Sequence, residues 1–178
     1  MLKSLAVFCG ASLGHSTVWQ DAARSLGTRM AERQIRLVYG GGGIGLMGVL
    51  ADAALAAGGD VIGVIPEFLA RREAAHRGLE ALEITHTMHS RKHRMFELAD
   101  GFVVFAGGLG TLDEAFEILT WKQLGLHDKP ILICNVAGSA TPLLAAIDGA
   151  IAMGFAHAQT RALFEVYDGV DAMLAAIA

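Results

Sequence analysis

The stretch Phe102-Val103-Val104-Phe105-Ala106-Gly107-Gly108-Leu109-Gly110-Thr111-Leu112-Asp113-Glu114 decides the fold. Residues 102–105 are apolar throughout, as suits a parallel strand covered on both faces. Three glycines then turn the chain into a helical pattern that starts at Thr111. A helix that opens at a strand's end presents free backbone amides, and its dipole makes that start an anion site. Thr111-x-x-Glu114 also fits a capping box, in which the threonine caps and the glutamate reaches back. Capping alone does not call for Gly107, Gly108 and Gly110. On a helical wheel Leu112, Ala115, Phe116 and Leu119 form the expected core face, with Glu114, Glu117 and Trp121 opposite, towards a cleft.

Outward from this unit the same alternation repeats. Further strands are expected at 5–9, 35–39, 61–65, 82–85 and 131–135, with helices near 17–32, 44–57, 88–99, 111–124 and 141–153. The tail 155–178 adds a short strand at 163–166 and a last helix. Strand–helix alternation implies right-handed crossovers, so the fold class is α/β: one Rossmann-like, doubly wound domain over 1–178 with a mostly parallel sheet. Ligands of such sheets bind at the carboxyl ends of the strands.

Composition narrows the function. The chain has 178 residues, 53% hydrophobic and 18% charged, which excludes a disordered chain. A net charge of -4 argues against a general nucleic-acid binder. The N-terminus has no signal-peptide layout. The longest charge-free run, between Lys129 and Asp148, is broken by Asn135, Gly138, Ser139, Thr141 and Pro142, so no membrane span is expected. Cys9 and Cys134 fall within apolar strands and read as buried free thiols, which suits a cytoplasmic protein. No Cys-x-x-Cys or His-Glu-x-x-His occurs, so neither metal nor other cofactor is expected.

Two more loops are glycine-rich. Gly40-Gly41-Gly42-Gly43-Ile44-Gly45-Leu46-Met47-Gly48 follows the second strand and reads as a nucleotide-contacting loop through Gly41, Gly42 and Gly43. As a dinucleotide fingerprint it is poor, because that motif follows the first strand. Gly10-Ala11-Ser12-Leu13-Gly14 has the spacing of a nucleophile elbow, but no acid and histidine can be singled out as partners. Ser12 reads as a ligand-contacting or turn residue.

Met88-His89-Ser90-Arg91-Lys92-His93-Arg94-Met95-Phe96 opens another helix. Met88, Met95, Phe96 and Ala99 mark its buried face, which Arg91 and Lys92 flank or share. Cations in a first turn oppose the helix dipole, and buried ones need a carboxylate or a bound anion. Arg94 points to the surface.

Together, Met88-His-Ser-Arg-Lys-x-x-Met95 and Gly107-Gly-Leu-Gly-Thr-x-x-Glu114 resemble the LONELY GUY (LOG) family of cytokinin riboside 5'-monophosphate phosphoribohydrolases, often mislabelled lysine decarboxylases. The resemblance extends to Phe8-Cys9-Gly10, the loop 41–48, Val64-Ile65-Pro66-Glu67, Thr120-Trp121 and His127-Asp-Lys-Pro130. It departs at Ala106, where proline is usual, and at Gly138-Ser139-Ala140-Thr141, where a Gly-Tyr-Tyr-Asp-like stretch is usual. The resemblance implies Arg91 and Glu114 as a catalytic pair, with Lys92 and the loop 108–111 gripping a nucleoside 5'-monophosphate. Met88, Glu67 and Thr120 carry over as further substrate contacts. It also implies a homodimer or larger homo-oligomer, with the site near the subunit interface. The competing readings are a nucleotide or molybdopterin-type carrier and an NAD-dependent oxidoreductase.

Overall fold

Side chains of β1 (Ser4–Phe8) alternate between the two faces of a central sheet. Leu5 and Val7 enter one apolar core, while Ala6 and Phe8 enter the other. Both faces are covered, so the strand is apolar without interruption. The computed structural model describes residues 2–72 and 75–177.

The remaining strands are β2 (Arg36–Tyr39), β3 (Val61–Pro66), β4 (Ala81–Thr85), β5 (Gly101–Val104), β6 (Ile131–Cys134) and β7 (Glu165–Tyr167). They form one seven-stranded sheet in the order β4-β3-β2-β1-β5-β6-β7, with every pairing parallel. The chain builds outwards from β1 to β4 and then returns to β1's free edge as β5. The crevice between the loops after β1 and β5 is therefore the topological switch point, where doubly wound sheets bind ligands.

Helices α1 (Thr17–Glu32), α2 (Gly45–Ala56) and α7 (Val170–Ala176) cover one face. Helices α4 (Met88–Leu98), α5 (Leu109–Gln123) and α6 (Thr141–Ala152) cover the other. A four-residue helix, α3 (Glu67–Ala70), follows β3 directly and has no counterpart in the expectations. The last strand lies two residues later than expected, because Ala158–Leu163 forms a 3-10 turn before it. Among the described residues no helix is long and apolar enough to cross a membrane.

Candidate active site

At the switch point lies a cavity of about 650 Å³, walled by the loops after β1, β2 and β5, by α4 and by Ser139 beyond β6. Of the residues expected at the site, Ser12, Met88, Arg91, Gly107, Gly108, Gly110, Thr111 and Glu114 line it.

The expected anion end lies at the start of helix α5. The helix begins at Leu109 with Gly108 as its N-cap, two residues earlier than the sequence suggested. Thr111 therefore sits inside the first turn, and no side chain caps the helix. Among the described residues, the amides of Gly108, Leu109, Gly110 and Thr111 reach no protein acceptor. A Cβ at Gly108 or Gly110 would meet nothing within 4 Å, so the space beside both residues is open. Gly107 differs: a Cβ there would lie 2.0 Å from Thr111 Oγ1 and 2.9 Å from the Gly10 amide nitrogen. It lets the β5 loop press against the β1 loop.

Glu114 stands one turn further along α5. The helical-wheel reading is corrected here: Glu114 shares the buried side with Thr111, Ala115, Ile118 and Leu119, whereas Phe116 is exposed. The helix's first turn lies along the cavity wall, so this inward side meets a cavity before it meets core. Glu114 is 8% exposed, and burial raises its pKa to about 7. Arg91 works against that rise, as does Lys92, while Asp113 and Glu117 add to it.

Arg91 is 7% exposed in the second turn of α4. Its Nε donates to the Val64 carbonyl at 3.0 Å and its Nη2 to the Gly40 carbonyl at 3.2 Å. That leaves Nη1 3.5 Å from a Glu114 oxygen. Two carbonyls, one in β3 and one just after β2, thus fix the guanidinium, and its pairing with Glu114 is a long one. Helix α4 is itself held by a capping box. The Thr87 hydroxyl accepts from the Ser90 amide at 3.0 Å, and the Ser90 hydroxyl accepts from the Thr87 amide at 3.0 Å. The Thr87-x-x-Ser90 spacing carried that signal.

The other expected residues lie outside the cavity wall. Gly41 has φ +75°, and a Cβ there would press on Ile65 and Leu82 at 3.1 Å. Gly42 bridges to Ala75, and Gly43 is exposed next to Ile44. Within this loop Gly45 (φ +62°) passes so close to the β1 loop that a Cβ would lie 2.2 Å from the Ala11 carbonyl carbon. The amides of Leu46 and Met47 in α2's first turn donate to the carbonyls of Ser12 and Gly10 at 3.4 and 3.2 Å. Glu67 pairs with Arg71 on the surface at 2.7 Å. Thr120 is exposed, its hydroxyl donating to the Phe116 carbonyl at 2.7 Å. Lys92 pairs with Asp113 and Glu117.

Sequence reasoning passed over several wall residues. Met47, Leu69 and Met95 make an apolar flank beside Met88, and Trp19 closes the far end, its Nε1 donating to the Val136 carbonyl at 3.2 Å. Gly14 (φ +73°), whose Cβ would lie 2.5 Å from the Trp19 ring, is the one local signal for that wall. Cys9 also lines the cavity, and burial pushes its thiol well above the ordinary range, so it stays protonated.

A family model described as "Possible lysine decarboxylase" matches residues 47–177. The cytokinin riboside 5'-monophosphate phosphoribohydrolase of Rhodococcoides fascians is 48% identical over 176 residues, covering 98% of this chain and 89% of that protein. The cytokinin riboside 5'-monophosphate phosphoribohydrolase LOG1 of Arabidopsis thaliana is 45% identical over 159 residues, covering 89% and 75%. Among solved structures, the molybdenum cofactor carrier protein of Chlamydomonas reinhardtii superposes with a TM-score of 0.74 at 20% identity, covering 99% and 96%. At that identity the likeness is one of fold. The chain belongs to the LONELY GUY (LOG) family, the group that the possible-lysine-decarboxylase model describes.

Proposed function

We propose that the protein hydrolyses the N-glycosidic bond of a nucleoside 5'-monophosphate, yielding the free base and ribose 5-phosphate. The observation that carries this reading is one turn of α5. Four unpartnered amides lie at its start, and a buried carboxylate faces the same cavity from the next turn. The 5'-phosphate sits on the amides of Gly108, Gly110 and Thr111, and that remote handle places the sugar for reaction. Two anions at one helix start repel, so the Glu114 carboxylate turns from the phosphate to the ribose.

Cleavage of the C1'–N bond builds positive charge on the sugar, as in other glycoside hydrolysis. The bonding pair leaves with the base, whose nitrogen takes up a proton from solvent, and a water oxygen bonds to C1'. Glu114 in its carboxylate form stabilises the developing charge and accepts the water's proton. A pKa near 7 makes it a competent base close to neutrality. Arg91, fixed by two carbonyls, holds that carboxylate and meets substrate oxygens with its remaining N–H groups.

The apolar flank of Met47, Met88, Met95 and Leu69 suits a base bearing a hydrocarbon group, as in the cytokinin nucleotides named for the relatives. The exposed stripe Leu109, Phe116 and Leu124 on α5, with Leu126 just beyond, suits burial against a second copy in a homodimer. The free thiols of Cys9 and Cys134 suit a cytoplasmic protein.

Incubating the protein with AMP and with an N6-prenylated AMP, and following free base by chromatography, tests the reaction. Base release with ribose 5-phosphate in equal amount is expected. Tight binding of either nucleotide without base release would mean a carrier and would overturn the proposal.

A further inference from the structure

Lys92 follows Arg91 in α4, and Asp113 precedes Glu114 in α5. The Lys92 ammonium lies 3.0 Å from an Asp113 oxygen and 3.0 Å from a Glu117 oxygen, with its side chain only 10% exposed. It is not part of the cavity wall. The two helices are thus joined by a ladder of two rungs, offset by one residue on each helix. The inner rung, Arg91–Glu114, is loose at 3.5 Å, while the outer rung through Lys92 is tight. Among the described residues no other side-chain ion pair joins α4 to α5; Phe96 also meets Trp121 edge-on between them.

We infer that Lys92 is a positioning residue: its ion pairs with Asp113 and Glu117 dock α4 against α5, and it reaches the substrate only through the placement and charge state of Glu114. The inference rests on the reading of Glu114 as the reacting carboxylate. An ammonium has three N–H donors, and two are committed to protein carboxylates. Burial opposes its charge, yet the bonds to Glu117 and Asp113 outweigh that and hold its pKa above the ordinary range. Lys92 is therefore a permanent cation beside Glu114. An exposed ion pair would be screened by solvent; this ammonium is shielded by its neighbours.

The charges that face Glu114 are Arg91 and Lys92 from α4 and Asp113 and Glu117 from its own helix, with the Cys9 thiol beneath it on the β1 side. Removing Lys92 takes away a cation that favours the carboxylate. Removing Asp113 and Glu117 takes away anions that oppose it. A purely mechanical tie would respond alike to either loss, whereas a positioning cation and its partners move Glu114 in opposite senses.

The test compares Lys92→Met, Lys92→Arg and the double variant Asp113→Asn/Glu117→Gln in the full chain. Two readouts are taken across roughly pH 5 to 9: kcat and KM for base release from AMP, and the ¹³C carboxyl resonance of Glu114, assigned by its loss in Glu114→Gln. For Lys92→Met both midpoints move to higher pH, kcat near neutrality falls about tenfold per unit of displacement, and KM stays nearly unchanged. The double variant moves the midpoints to lower pH, and Lys92→Arg restores wild-type behaviour. A raised KM with intact kcat in Lys92→Met would make Lys92 a substrate grip and overturn the inference. Midpoints that move together in both variants, or not at all, would overturn it as well. Should the wild type release no base from AMP, the hydrolase reading fails, while the resonance midpoints still decide the role of Lys92. If Lys92→Met does not fold, the double variant and Lys92→Arg decide it.

Discussion

The Arg91 guanidinium stands 3.5 Å from the Glu114 carboxylate, while its other nitrogens are held by the carbonyls of Val64 and Gly40. The cation is fixed by backbone, and the carboxylate is left free to meet a substrate.

Glu114→Gln is expected to lower turnover by ~10²–10⁴, the usual loss when an acid–base or charge-stabilising group is removed. It should also stabilise the fold at alkaline pH. Burial raises the native pKa to about 7, so the ionised form is penalised, and stability declines as pH rises from the unfolded carboxylate's value through the native one. Above that window the penalty is on the order of 2–3 kcal/mol, and it vanishes below the unfolded pKa. Melting temperatures should favour the variant above neutrality and converge in acid. A variant less stable than wild type throughout would contradict this account, as would full AMP hydrolysis by it.

In the proposed mechanism Glu114 acts as the carboxylate, so kcat/KM should fall as pH drops through about 7. A profile flat down to about pH 5 would remove Glu114 from the rate-limiting chemistry.

Arg91→Ala leaves a buried carboxylate without its counter-ion and two buried carbonyls without a donor. A loss of about 3 kcal/mol is expected, seen as a fall of roughly 6–12 °C in Tm. Arg91→Lys should recover little, because one ammonium cannot span both carbonyls and the carboxylate. A lysine variant with wild-type Tm and kcat would show that charge alone suffices.

Gly107→Ala and Gly110→Ala should separate packing from binding. A methyl at Gly107 collides with Thr111 and the Gly10 amide, so that variant should be poorly folded. A methyl at Gly110 meets no protein atom and favours the helix by up to ~1 kcal/mol, so Tm should hold or rise. It would intrude on the proposed phosphate seat, so KM for AMP should climb by tenfold or more, as expected for ~1.4 kcal/mol of lost contact. An unchanged KM would move the phosphate elsewhere.

Lys129 donates to the Phe96 carbonyl at 2.6 Å, in the last turn of α4, and lies 4.0 Å from the Phe96 ring centroid. His127 beside it accepts from the Lys129 amide through Nδ1 at 3.1 Å and donates through Nε2 to the Ile118 carbonyl at 3.0 Å. Lys129→Met should cost about 1–2 kcal/mol, measurable as a few degrees in Tm. No change in Tm would leave the lysine without a capping role.

The strands were legible because both faces are covered, which leaves uninterrupted apolar runs such as Phe102–Phe105, and the glycine turns marked their carboxyl ends. The start of α5 was misplaced because Thr111-x-x-Glu114 mimics a capping box, whereas Gly108 begins the helix with bare amides. Glu114 faces a cavity as expected, but from the buried side of α5, because a wheel sets charge opposite the apolar core and cannot see a cavity beneath a helix start. The carboxylate partners of Lys92 were not legible, because Asp113 and Glu117 lie 21 and 25 residues away in sequence, on another helix. Trp19, at the start of α1, and Ser139, beyond β6, meet at the cavity through the packing of segments distant in sequence, which periodicity does not record.

Of the two glycine-rich helix starts beside the cavity, the one at α2 has the amides of Leu46 and Met47 bonded to the carbonyls of Ser12 and Gly10. Only α5 keeps an empty seat for negative charge. On the proposed reading a ligand joined through a pyrophosphate would bring two phosphates to a place with one berth, so the crevice should favour mononucleotides over dinucleotides. NAD should therefore raise Tm much less than AMP at equal concentration; equal protection by the two would refute that selection.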